Sequence, residues 1–143
     1  MVGSLLLTAA LAAAPADPAD PANASRAETA HCVAVMQTRA DELARQVKAG
    51  DKSQESALRS ELQRAAALIG RTYLDGLRDE GEAKARLKAA RQEQSTWPEA
   101  RRERLHRDCV LKADALIGKA SSVERYVIER VAQRRMNKML AAP

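Results

Sequence analysis

The two cysteines constrain this chain more than any other feature. Within the stretch Thr96 to Gly118, TWPEARRERLHRDCVLKADALIG, a helical reading puts Leu105, Cys109, Ala113 and Leu116 on one face at steps of three and four residues. The thiol of Cys109 therefore points where the core residues point. Cys32 stands on a similar stripe with Met36, Ala40, Leu43 and Val47. A Cys32–Cys109 bond would tie the first long helix to the last third of the protein. Closing so long a loop restricts the unfolded chain by roughly 4 to 5 kcal/mol in the chain-entropy account. It also requires Cα atoms within about 7 Å of each other.

A zinc site is the competing use of the same residues, drawing on His31, Cys32, His106 and Cys109. The spacing argues against it. His106 and Cys109 can share a helix face, but adjacent His31 and Cys32 diverge by about 100° on a helix. A nucleophilic role needs a base held against the thiol, and each histidine sits beside a cysteine already assigned to the bond. The chain has no glycine-rich phosphate loop, no His-Glu-x-x-His, no Gly-x-Ser-x-Gly and no Cys-x-x-Cys-His. No catalytic residue, metal or cofactor is expected, and an enzyme is disfavoured.

Ala, Leu, Arg, Glu and Gln dominate, Phe is absent, and runs of β-branched residues are almost missing. We expect an all-α fold, an antiparallel bundle of four to five helices with one disulfide, spanning residues 26–140. Ser25 and Glu28 have the spacing of a capping box and Gly50 marks a stop, which predicts a first helix over 26–48. A second starts near Ser53 and carries the clearest inward stripe, Leu58, Leu62, Ala65, Ile69, Tyr73 and Leu77. Gly76 and Gly81 predict a break between them. Residues 82–94 read as a peripheral helix or a continuation of the second. Ser95 or Thr96 would cap the next, with Pro98 in its first turn. Ser121 and Glu124 repeat the capping spacing, so residues 122–140 are either a last helix or the end of an unbroken one. That segment would bury Val127, Ile128, Val131, Ala132, Met136 and Met139.

The apolar run Leu5 to Ala14 is too short to span a bilayer and reads as the core of a signal peptide over residues 1–16. Cleavage is expected after Ala16, with Ala12 and Ala24 as the neighbouring options, and residues 17–25 form a flexible Ala/Pro/Asp linker. Export places the cysteines where thiols are oxidised. The mature chain should be periplasmic or secreted, without a transmembrane segment.

The whole of the +5 net charge falls after Pro98. Arg101, Arg102 and Arg104 open one helix, while Arg130, Arg134 and Lys138 line another. If these two helices pack antiparallel, the sets join into one basic patch for an acidic protein or an anionic envelope polymer. Glu99, Glu103, Glu124 and Glu129 lie within helical reach and could instead pair with them, at about 0 to 1 kcal/mol each. The expected function is an exported, non-catalytic helical protein that binds a protein partner or an anionic envelope component. The alternative is a small basic intracellular nucleic-acid-binding module, although the aromatic platforms that stack bases are missing. Oligomeric state is open at this level.

Overall fold

The computed structural model describes residues 21–143, with side chains from Ala24 onward. The expected signal peptide, residues 1–16, and the first part of the expected linker lie outside the described residues. The helices are α1 (Pro21–Lys48), α2 (Glu55–Leu74), α3 (Glu80–Gln94), α4 (Glu99–Lys119) and α5 (Ser122–Ala141), with a 3₁₀ turn at Lys52–Gln54 leading into α2. Cys32 and Cys109 are bonded, with Cα atoms 5.3 Å apart. The all-α bundle and its disulfide are therefore present.

α1 starts earlier than expected, at Pro21 rather than after Ser25. Proline suits a first helical position, where its missing N–H leaves no helical bond unmade. Ser25 lies inside the helix, and its carbonyl accepts from Thr29 Oγ1 at 3.0 Å. The expected linker is thus helical from Pro21.

Glycines close the first two helices in the same way. Gly50 has φ 113° and Gly76 has φ 105°, both in the left-handed region that glycine adopts without a Cβ clash. After α1, Gly50 N donates to Val47 O and Asp51 N to Gln46 O, both at 3.0 Å. After α2, Gly76 N donates to Tyr73 O at 3.1 Å and Leu77 N to Thr72 O at 3.2 Å. This is the Schellman arrangement, in which the residue after the glycine returns to apolar contact with the helix it has left. Leu77 is accordingly buried. Asp79 then opens α3, its side chain accepting from Glu82 N at 2.8 Å.

Thr96 does not cap α4. Its hydroxyl donates to Glu93 O at 2.8 Å, closing α3, and Pro98 holds the N-cap position of α4 without a side-chain bond. Ser121 does cap α5, accepting from Glu124 N at 3.2 Å, so the last two helices are separate.

α1 and α2 form the central pair, and α4 and α5 pack on it at different levels. The lower core joins Cys32, Val33, Met36, Ala65, Leu68, Cys109 and Ala113. The upper core joins Ala40, Leu43, Ala44, Leu58, Leu62, Ala132 and Met136. Met36 and Leu58 are fully buried, and side chains of this size contribute roughly 1.5 to 3 kcal/mol each.

α5 departs from expectation. Ala132 and Met136 are buried, but Val127 and Val131 are about half exposed, and Val123 and Tyr126 more so. The reason is that α5 leans on α2 and α1 and not along α4. At the corner between α4 and α5, the Arg125 guanidinium donates to Ile117 O at 3.2 Å and Gly118 O at 3.0 Å, satisfying carbonyls at the end of α4. Among the described residues, no helix is long and apolar enough to cross a membrane.

Candidate functional site

The packing of α4 and α5 bears directly on the expected basic patch. α4 and α5 both pack chiefly on α2 and not along each other, so antiparallel packing of the two helices is not what would join Arg101, Arg102 and Arg104 to Arg130, Arg134 and Lys138. Arg101 lies over the Trp97 ring, 3.7 Å from its centroid, and Trp97 stacks in turn on His31 at 5.3 Å. Arg102 lines a polar depression with Arg39, Arg91, His106 and Arg107. Arg104, Arg130, Arg134 and Lys138 are exposed. Among the described residues, Glu99, Glu103, Glu124 and Glu129 form no ion pair with them, so the expected pairing is also absent.

The histidines sit at separate places. The ring of His31 meets Gln94 Nε2 at 3.0 Å and Glu93 at 3.3 Å, while Gln94 also donates to His31 O at 2.9 Å. These contacts fasten the end of α3 to α1. His106 Nε2 lies 2.9 Å from Glu61 Oε1, and Arg64 bridges Glu61 at 3.4 Å and Asp114 at 2.9 Å. That set fastens α4 to α2. Among the described residues, no group of three or more His, Cys, Asp or Glu is placed to hold a metal ion.

An apolar concave site lies apart from that polar depression, which is the roomier of the two at about 540 Å³. The apolar site is found where α1, the end of α2 and α3 meet. It is a groove of about 420 Å³, within the roughly 300 to 1,000 Å³ typical of small-molecule sites. Ala30 and Val33 come from α1, Ile69, Thr72 and Tyr73 from α2, and Ala83 and Leu87 from α3, with Leu77 from the turn between α2 and α3. Ile69 and Tyr73 were expected in the core but are 50% and 54% exposed. Their stripe does face inward, but in this part of the fold inward means the groove. Thr29 and Thr72 add to its apolar character. Their hydroxyls donate to Ser25 O at 3.0 Å and Leu68 O at 2.9 Å, inside their own helices.

Charge gathers at the mouth, where Arg26, Arg78, Lys84 and Arg86 meet Asp79 and Glu80. Lys84 pairs with Glu80 at 2.8 Å and Arg86 with Glu82 at 3.1 Å. The hydrogen bond from Lys84, then its charge, holds the Glu80 carboxyl below the usual glutamate range, and the same contacts push Lys84 up. Arg78 lies over the Tyr73 ring at 5.3 Å from its centroid. Arg26 reaches across Gly76, where a β-carbon would stand 3.7 Å from its Nη2. Among the described residues, neither Arg26 nor Arg78 has a carboxylate partner.

Sequence reasoning missed this site because its residues are scattered over three helices and a turn. The available signal was Gly76, which forces the turn that delivers Leu77 and Arg78. The chain matches no protein-family model, no curated protein and no solved structure.

Proposed function

We propose that this chain is an exported, non-catalytic binding protein that holds an anionic component of the cell envelope in the groove between α1, α2 and α3. The observation that carries this reading is an apolar concavity with Arg26 and Arg78 at its mouth and no carboxylate against either among the described residues. A concave slot favours a small envelope component over the flat contact that an acidic protein would need. The buried disulfide supports export, since such bonds persist in oxidising compartments. It also occupies both thiols. His31 and His106 are held in contacts between helices away from the groove, so neither is offered there as a base.

The test is native mass spectrometry of the protein isolated from the exported fraction, beside an Ala83→Trp variant that fills the groove. The expected result is a cleaved, oxidised chain carrying an anionic component that the variant lacks, while circular dichroism shows both folded. A chain found only in the cytosol contradicts export. Equal loading of both proteins contradicts the groove.

A further inference from the structure

We infer that the groove accommodates a single-chain carboxylate amphiphile, a long-chain fatty acid, with its chain along Val33, Ile69, Leu77 and Leu87 and its carboxylate at Arg26 and Arg78. This inference rests on the groove being the binding site for an anionic component.

The lining dictates the chain. Thr29 and Thr72 spend their hydroxyls on their own helices and offer the groove their methyl groups. Among the described residues, the buried side-chain polar atom left without a partner is Glu61 Oε2, and Glu61 does not line the groove. The floor therefore asks for no hydrogen bond from a ligand, and an unbranched hydrocarbon meets it without leaving a polar group unpaired. A volume of about 420 Å³ lies near the low end for ligand sites. One flexible chain fits that space, whereas a two-chain lipid would keep its second chain in water.

The mouth dictates the headgroup. Glu80 neutralises Lys84 and Glu82 pairs with Arg86, so Arg26 and Arg78 remain as cations without a carboxylate among the described residues. A planar guanidinium matches a carboxylate through parallel N–H···O bonds. The Tyr73 ring beneath Arg78 offers that side chain a resting surface from which it can turn to the ligand. Arg26 comes from α1 and Arg78 from the turn after Gly76, so a carboxylate between them would bridge two segments.

The experiment is calorimetric titration of the oxidised full chain with saturated fatty acids of increasing length, each kept below its micelle-forming concentration. Affinity should rise about fourfold per methylene until the groove is full and then level off. Arg26→Gln and Arg78→Gln should each weaken the acid about tenfold while leaving the corresponding methyl ester unchanged. Arg130→Gln, outside the groove, should change neither. Lysophospholipid binding without fatty-acid binding would overturn the fatty-acid assignment and leave the groove as an anion site. An alkyltrimethylammonium of equal chain length binding as tightly as the acid would overturn the headgroup argument. Failure of every anionic amphiphile to bind would overturn the inference, and combined with an unloaded native protein it would remove the functional reading as well.

Discussion

His106 Nε2 lies 2.9 Å from Glu61 Oε1, and Glu61 is only 5% exposed although it carries a carboxylate. Its second oxygen has no partner among the described residues. The pair, with Arg64 and Asp114 beside it, is the polar fastening between α4 and α2.

Removing one member should cost more than removing both. Glu61→Leu strips His106 and Arg64 of their shared acceptor, and we expect a loss of about 2 to 3 kcal/mol, moderated because both partners are partly exposed. Glu61→Leu with His106→Leu should recover most of that loss, since buried ionic groups replaced by well-packed apolar ones are often neutral. Urea denaturation of the two single variants and the double gives the coupling energy. Additive losses would show that the two residues act independently.

The disulfide is the second fastening, and its sequence separation is 77 residues. Replacing Cys32 and Cys109 together by Ala should lower stability by roughly 3 to 5 kcal/mol. Helical circular dichroism should survive where the protein stays folded, because the helices rest on two cores and the bond ties only one of them. A loss under about 1 kcal/mol in denaturation would mean that the unfolded chain gains little freedom from the cut.

Much of this architecture was legible in the sequence, and the limits of legibility have a physical cause. The stripes through Cys32 and Cys109 revealed the inward faces, and Gly50 and Gly76 marked the stops, because a helix face and a left-handed turn are local properties. Which neighbour covers a face is not local. Ile69, Tyr73, Val127 and Val131 have the same periodicity as Leu58 and Met136, yet among the described residues no helix lies over them closely enough to bury them. How the two basic sets stand to each other is likewise not local: it depends on α4 and α5, which rest chiefly on α2 rather than along each other.

That difference in α5 can be measured. Val127→Lys and Val131→Lys should each leave stability within about 0.5 kcal/mol, as is usual for exposed positions. Met136→Ala, in the upper core, should cost about 2 to 4 kcal/mol. Thermal or urea unfolding that ranks the valines with Met136 would place α5 against a further helix and contradict the packing described.

Glu80 and Lys84 provide a pH test at the groove mouth. The Glu80 carboxyl should titrate below its ordinary 4.5, chiefly through the hydrogen bond from Lys84. Its depressed folded value means that its contribution is present above the ordinary glutamate value and lost as pH falls through the folded one. Lys84 is raised above its ordinary 10.5, so its contribution is fully present below that value and lost as pH rises through the folded one. Carbon-detected NMR titration should show Lys84 returning to its ordinary value in Glu80→Gln. A Glu80 midpoint at or above 4.5 would mean that the pair does not persist in solution.

Amide chemical-shift mapping of the labelled, oxidised protein during titration with an extract of anionic envelope components locates the binding surface directly. Perturbations should concentrate at Arg26, Ala30, Val33, Ile69, Tyr73, Leu77, Arg78 and Leu87, around the groove. Perturbations that instead follow Arg101, Arg102, Arg104, Arg130, Arg134 and Lys138, and leave the groove unmoved, would contradict binding there.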